Sequence, residues 1–393
     1  MNIVVQKYGG SSVSDTNKIK FVANKVKNKV YEGYKVVVIV SAMGETTDNL
    51  IKLANEISNK PHPRELDMLL TTGEQISVAL LSMALIDLNV KTKSLNAFQA
   101  GIFTTSDFTK ARIQKFKVSR IINLLKENDV LVITGFQGIT EEGDYTTLGR
   151  GGSDTSAVAI AAALNSECEI YSDFPGIYTF DPRKYPDAKK LKFVTYDEML
   201  EMSSLGARVL HSRAIEVAKK YNLKVYCAST FTEEEGTYVV ADNIENPVVT
   251  GMSVMENQTQ VTITNIPFNH DIIYNIFDKI AQKGFNVDMI SIININEKLN
   301  VSFTIIEEEM ENFDNYLKEA LNDLQVTYEH GYAKISVVGI GMRTEKGVAS
   351  RFFKALEDIP IRMVTTSEIK ISCLLEKKYL DIATRAIIKE FEL

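Results

Sequence analysis

Over roughly the first 245 residues, short β-branched runs alternate with amphipathic stretches, and this alternation restricts the fold more than any other feature of the chain. Ile3–Val5, Val36–Val40, Val130–Thr134, Glu169–Tyr171 and Lys224–Cys227 read as buried strands. In the first stretch between them, Ile19, Val22, Val26 and Val30 fall on one helical face, and Ser14 or Asp15 can cap its start. Strands that alternate with helices argue for a mostly parallel sheet sandwiched by helices. Ligands of such sheets sit at the carboxyl ends of the strands, so the loops leaving those strands are where function is sought.

From about Val248 the texture changes, and two segments repeat each other at an offset of 74 residues. Val261-Thr262-Ile263 matches Ile335-Ser336-Val337, and Val287-Asp288-Met289 matches Ile361-Arg362-Met363. Each copy reads as a small ferredoxin-like βαββαβ unit. The expected division is a catalytic domain over 1–245 and repeat units over 246–330 and 331–393, with the strand 249–254 a candidate to complete the second unit.

Bulk properties narrow the function. A net charge of -7 opposes nucleic acid and anionic membrane as partners, so any phosphate must be met by local cations and backbone N–H groups. Cys168, Cys227 and Cys373 are far apart in apolar contexts, as free thiols of a reducing cytoplasm are. The longest apolar run, Val36–Val40, is far short of the roughly 20 residues that span a bilayer. His62, His211, His270 and His330 show no ligand spacing, and no metal ligand is assigned.

Three loops carry the chemistry. The first strand runs into Lys7-Tyr8-Gly9-Gly10-Ser11-Ser12 ahead of a helix, an arrangement that cradles phosphate on bare backbone, with Lys7 as a mobile cation. The spacing is not that of a P-loop. In the second, Leu148-Gly149-Arg150-Gly151-Gly152-Ser153-Asp154 opens the alanine-rich helix Thr155–Leu164, with Ser153 or Asp154 as its cap. A guanidinium can hold a carboxylate by two hydrogen bonds and an aspartate can hold an ammonium, which suits a zwitterionic amino acid. The third, Tyr171 to Arg183, leaves a strand end: Tyr178 can stack on a base, Asp173 can bond a ribose and Arg183 can meet phosphate. Ser41 and Thr47 follow the second strand, and Gly73-Glu74-Gln75 reads as a helix start.

The segments VQKYGGSSV, VSAMGETTD, TTGEQ, GFQG, LGRGGSDTSA and YSDFPGIYTFDPR resemble, in order, those of aspartate kinases of the amino-acid kinase superfamily, and the repeat tail resembles their paired ACT domains. The resemblance implies an amino-acid-kinase fold followed by two ACT units. It implies that Lys7, Tyr8, Gly9 and Gly10 hold ATP phosphates, with Lys7, Gly9, Gly10 and Asp154 at the reacting groups. Ser41, Thr47, Glu74, Phe136, Arg150, Gly151, Ser153 and Asp154 would bind L-aspartate, with Glu74 on its ammonium and Phe136 acting through its backbone. Ser172, Asp173, Tyr178, Asp181, Arg183 and Arg208 would complete the nucleotide site; at 208 the family often has lysine.

The chemistry implied is attack of the aspartate carboxylate on the γ-phosphoryl group of MgATP. A carboxylate is already ionised near neutrality, so no general base is required. The tail would sense lysine, or threonine alone or with lysine, through Asn269, His270, Asp271, Ile272, Val287 and Asp288; Gly341 to Val348 and Thr365 to Glu368 are the equivalents in the second unit. Side-by-side pairing of such sheets implies a homo-oligomer. Rival readings are another amino-acid kinase, acting on glutamate, acetylglutamate, carbamate or UMP, and a non-catalytic amino-acid sensor.

Overall fold

Burial of both faces explains the first 245 residues or so: continuous β-branched runs become the strands of a parallel sheet that helices cover on either side. In the computed structural model these are β1 (Ile3–Tyr8), β2 (Lys35–Val40), β3 (Thr92–Leu95), β4 (Ile102–Thr104), β5 (Ile113–Phe116) and β6 (Val130–Thr134). They continue as β7 (Gln137–Ile139), β8 (Tyr145–Thr147), β9 (Glu167–Ser172), β10 (Phe193–Thr195), β11 (Val225–Ser229) and β12 (Thr237–Val240). The eight-stranded sheet has the order β10-β12-β11-β9-β1-β2-β6-β3, and within it only the β11–β12 pair is antiparallel. β5, β4, β7 and β8 form a smaller sheet. The structure describes residues 1–204, 210–242, 247–267, 270–282, 284–295, 297–310, 313–314 and 324–393.

The helices of this half are α1 (Thr16–Tyr31), α2 (Thr46–Ile57), α3 (Pro63–Asp87), α4 (Ala97–Ala100), α5 (Val118–Glu127), α6 (Gly152–Leu164), α7 (Tyr196–Ser204) and α8 (Ser212–Lys220). Asp15 caps α1 by accepting from the backbone N–H groups of Asn17 and Lys18 at 3.0 Å each. The helix buries Ile19, Val22, Ala23 and Val26 against the β1–β2 face. Burying one such aliphatic side chain stabilises the fold by about 2 kcal/mol, so a polar substitution at Val22 would break this contact first. α3 is long and apolar enough, by length and composition, to cross a membrane. It also buries Asp67, Thr71, Glu74 and Ser77, a polar row that belongs in a protein interior.

Two expectations about helix starts are corrected. Gly73 and Glu74 do not open a helix but lie in the middle of α3, which starts at Pro63. A Cβ at Gly73 would stand 3.0 Å from the Ala42 Cβ, so glycine lets the helix close onto the loop after β2. α6 is capped by Gly151 without a side-chain bond, and Ser153 and Asp154 sit inside its first turn.

Two compact units emerge: Met1–Tyr178, Lys190–Ser203 and Arg208–Ile244 form one, and Thr179–Lys189, Ser204–Ala207 and Glu245–Leu393 the other. The second holds β13 (Gly251–Pro267), α9 (His270–Gln282), β14 (Asp288–Ile295), β15 (Lys298–Ile306), β16 (Gln325–Val338), α10 (Val348–Ala355), β17 (Ile361–Thr366), β18 (Lys370–Glu376) and α11 (Leu380–Phe391). Its strands make one antiparallel sheet, β14-β15-β13-β16-β18-β17. Strand alternation separates two cores on it. Val261, Ile263, Val301 and Phe303 pack with Ile276 and Ile280 of α9, and Ile335, Val337, Ile371 and Cys373 pack with Phe352, Ala383 and Ile387. The Gly251–Met255 part of β13 pairs with Lys334–Val338 of β16. Phe180, from the stretch 179–189, joins the second of these cores, and Tyr185 donates to Asp381 at 2.8 Å.

Candidate active site

The strands β1, β2 and β6 end side by side, and three loops converge there. Gly44 N donates to Gly10 O at 3.1 Å, and Ser41 N to Tyr8 O at 3.2 Å, which ties the loop after β2 to the loop after β1. The resulting cavity, about 240 Å³, is lined by Lys7, Gly10, Ser41, Thr47, Glu74, Phe136, Arg150, Gly151, Ser153 and Asp154, together with Ala42, Gly44, Gly149 and Gly152. Residues up to 147 positions apart in the chain thus share one wall.

Lys7 is not the exposed mobile cation its loop position implied. Its side chain is 12% exposed and its Nζ lies 2.6 Å from Asp154 Oδ1. The strand pleat sends Lys7 toward α6, and the N-terminal turn of that helix adds backbone N–H groups and the positive end of the dipole to the same spot. A Cβ on Gly10 would stand 2.8 Å from Ala42 O, so glycine is what lets the loop after β1 pack against the loop after β2. Tyr8 points the other way: it is fully buried on the opposite face, stacked on Tyr171 with centroids 5.1 Å apart.

Glu74 is the most perturbed carboxyl of the site. Burial raises its pKa to about 7, against hydrogen bonds that favour the ionised form, from Gln137 Nε2 at 3.0 Å and from the Ala42 backbone. Gln137 also donates to Thr71 O at 3.0 Å, which fixes its amide between α3 and β7. Phe136 has a left-handed backbone, φ 69°, and takes a bond from Leu148 N at 2.7 Å. Strain of that kind at a loop corner presents backbone groups to the cavity.

The Arg150 loop is held from outside. Asp67 accepts from Thr109 N and Thr147 N at 2.8 Å each and from Thr147 Oγ1 at 2.7 Å. Arg213 donates to Leu148 O at 2.9 Å and Ala111 O at 2.8 Å. Arg150 itself is exposed at the cavity mouth. Gln137, Asp67 and Arg213 were not picked out as site residues in the sequence. Gln137 stands next to Phe136 in the GFQG segment, a signal that could have found it; Asp67 and Arg213 have no local signal.

Lys7 and Gly10 of the expected nucleotide residues line this cavity, but Ser172, Asp173, Tyr178, Asp181 and Arg183 do not. In the first unit, Ser172 bonds its own loop through Phe174 N at 3.1 Å, Asp173 is exposed, and Tyr178 bridges Lys190. Asp181 and Arg183 belong to the second unit and pair with each other, Nε to Oδ1 at 3.0 Å and a terminal nitrogen to Oδ2 at 2.8 Å. The Arg183 hydrogen bond holds the Asp181 carboxyl below the usual range. Arg208 lies outside the described residues.

The second unit has cavities of its own. Val287 and Asp288 line one of about 290 Å³ with Gln258, Thr304 and Lys334, and the Asp288 carboxylate is ion-paired with buried Lys334. Another, about 690 Å³, lies between Met342–Ala349 and Thr366–Glu368, where Arg343 Nε meets Glu368 at 3.1 Å. Asp271 and Ile272 lie in the first turn of α9, which begins at His270, and Asn269 lies outside the described residues.

Comparison with known proteins converges on the same picture. Residues 2–229 match the amino acid kinase family, and residues 335–391 match the ACT domain. The aspartokinase of Geobacillus stearothermophilus is 46% identical over all of this chain and 98% of its own length. E. coli aspartokinase III in complex with aspartate and ADP (R-state) superposes with a TM-score of 0.82 at 24% identity, covering 100% of both chains. The same enzyme in complex with lysine and aspartate (T-state) gives 0.81 at 24% identity over 99% of each chain. At that identity the two structures speak for the fold. The full-length relative and the family match, set on a cavity built from the KYGGSS and GRGGSD loops, establish that this chain belongs to the aspartokinases of the amino acid kinase family.

Proposed function

We propose that the enzyme transfers the γ-phosphoryl group of ATP to the side-chain carboxylate of L-aspartate, giving 4-phospho-L-aspartate and ADP, the first step toward lysine, threonine and methionine. The observation that carries this reading is the cavity that gathers a half-buried cation, Lys7, a carboxyl poised to ionise, Glu74, and a guanidinium, Arg150. Aspartate has one ammonium for Glu74 and an α-carboxylate for Arg150, and the remaining carboxylate then points at Lys7. Its oxygen attacks the γ-phosphorus as the bond to the β-phosphate bridge breaks, and the electron pair leaves on ADP. No proton changes hands at the nucleophile, which is ionised already.

Lys7 exchanges Asp154 for the transferring group, and the Gly9-Gly10 backbone and the start of α6 take charge from its oxygens. Positioning and charge neutralisation then supply the rate. Mg²⁺ arriving on the nucleotide supplies further neutralisation of phosphate charge. It would be held largely by the phosphates and water, with no protein ligand assigned. Ser172, Asp173 and Tyr178 serve the nucleoside end.

The tail acts as an amino-acid sensor. Lysine is the first effector, supported by the lysine complex of E. coli aspartokinase III and by the acidic group at Asp288, where a ligand ammonium would replace Lys334. Threonine is the second. The exposed isoleucines Ile290, Ile292, Ile293 and Ile295 on the edge strand β14 favour pairing of two copies along that edge. Three buried, unpaired cysteines favour a cytoplasmic setting.

Hydroxylamine trapping of acyl phosphate tests the reaction directly: product with MgATP and aspartate, none with glutamate, and less product when lysine is added. Equal product with glutamate would overturn the choice of L-aspartate as the acceptor.

A further inference from the structure

Behind the phosphate loop, on the sheet face turned away from the cavity, a polar network lines a second cavity of about 220 Å³. Gln6 and Tyr8 flank Lys7 in β1, and strand alternation turns both of them to this opposite face. In the parallel register Gln6 stands beside Glu169, and Tyr8 beside Tyr171. Glu169, 9% exposed, accepts from Gln6 Nε2 at 2.7 Å and from the Tyr171 hydroxyl at 3.0 Å on one oxygen. Lys29 Nζ of α1 lies 3.3 Å from the other. The Tyr8 hydroxyl donates to Gln6 Oε1 at 3.2 Å. One turn earlier in α1, Lys25 lies 4.4 Å over the Tyr171 ring and donates to Ser229 O and Thr230 O at 3.1 and 3.3 Å. Thr230 in turn bonds Ser12 of the phosphate loop, oxygen to oxygen, at 2.6 Å.

Holding a carboxylate in the interior costs several kcal/mol unless its partners are complete, and aliphatic side chains would join two strands without that cost. What a satisfied polar network adds is a single geometry. The two strands it joins end in the two loops assigned to the nucleotide: β1 leads into Gly9–Ser12, and β9 into Ser172-Asp173. Gly9 N also donates to Tyr171 O at 3.4 Å, so any slip between the strands is felt at the first glycine. The aspartate end is held by other elements, Glu74 on α3 and Arg150 on the loop before α6.

We propose that Glu169 is a positioning residue for phosphoryl transfer: by locking Gln6, Tyr171 and Lys29 behind the sheet, it fixes the phosphate loop relative to the nucleoside loop. The inference rests on the nucleotide roles given above to Lys7, Gly9 and Ser172-Asp173.

The test is steady-state kinetics of the full chain carrying Glu169→Gln, and of Lys29→Met, whose partly exposed side chain makes that variant the safer one to fold. Both should raise the KM for MgATP about tenfold, with the KM for aspartate within twofold, and Lys29→Arg should restore the MgATP value. A lower Tm with both KM values unchanged, or a parallel rise in both, overturns the positioning role. Lys7→Ala is assayed alongside. If Lys7→Ala keeps full turnover, the nucleotide reading is what has failed; if it is inactive while Glu169→Gln binds MgATP normally, this inference alone has failed.

Discussion

The cavities of the two units differ in what lines them. In the first, parallel strands deliver loops to one end, and the cavity of about 240 Å³ is lined by backbone, a buried ion pair and a buried carboxyl. In the second, an antiparallel sheet offers a wider cavity of about 690 Å³ whose ion pair, Arg343 with Glu368, is largely in solvent. An exposed pair of that kind is worth about 0–1 kcal/mol and exchanges readily for a ligand. A buried charge cannot be rearranged so cheaply, which suits a site that must hold one geometry through a reaction. If an effector enters this wider cavity, pre-organisation and adjustability are divided between the units.

The sharpest way to break that contrast is Lys7→Ala. Loss of the cation beside the transferring group should lower kcat about 10³-fold, measured by acyl phosphate trapping. Asp154 would be left buried without its partner, so a lower Tm should accompany the loss. A fall in kcat of less than tenfold would mean that the catalytic unit does not rely on a fixed charge at this point.

Glu74 sharpens the comparison through pH. Its carboxyl must ionise to hold an ammonium, so kcat/KM for aspartate should rise as pH increases through about 7. Glu74→Gln should lower kcat/KM about 100-fold and flatten that dependence. Stability should move the other way. A folded pKa raised from 4.5 to about 7 makes the wild-type contribution greatest below 4.5, and it declines by about 3 kcal/mol by the time pH passes 7. Glu74→Gln should therefore keep or raise Tm at pH 8, measured by calorimetry. A lower Tm together with an unchanged pH profile would show a structural carboxyl.

Much of this was legible in the sequence because bare backbone leaves a trace. Gly9-Gly10 and Gly149 to Gly152 mark loops, and Lys7, Arg150 and Asp154 stand beside them. The strand-and-helix alternation gave the parallel sheet, and the 74-residue offset gave the tail. What escaped lies in contacts between distant positions: Gln137 with Glu74, 63 residues apart, and Asp67 with Thr147, 80 apart. The alternation that points Lys7 into the cavity also points Tyr8 out of it, a consequence available from β1 alone. Helix starts misled because Gly73 marks a close approach to Ala42 and not a boundary.

The regulatory unit provides the smallest and most discriminating effect. If a lysine ammonium displaces Lys334 from Asp288, Asp288→Ala should raise the half-inhibitory lysine concentration about tenfold, the loss of one charge-assisted bond. Glu368→Ala, at the wider cavity, should change that concentration less than twofold. The reverse pattern would move the effector to the cavity between Met342–Ala349 and Thr366–Glu368. It would also preserve the division between the units, because the ligand would then replace an exposed ion pair. Displacing Lys334, 3% exposed, asks the sensor to rearrange a buried charge as the catalytic unit does at Lys7. Inhibition that survives Glu368→Ala and fails in Asp288→Ala would therefore show that both units work by exchanging partners of a buried cation, one for phosphate and one for an amino acid.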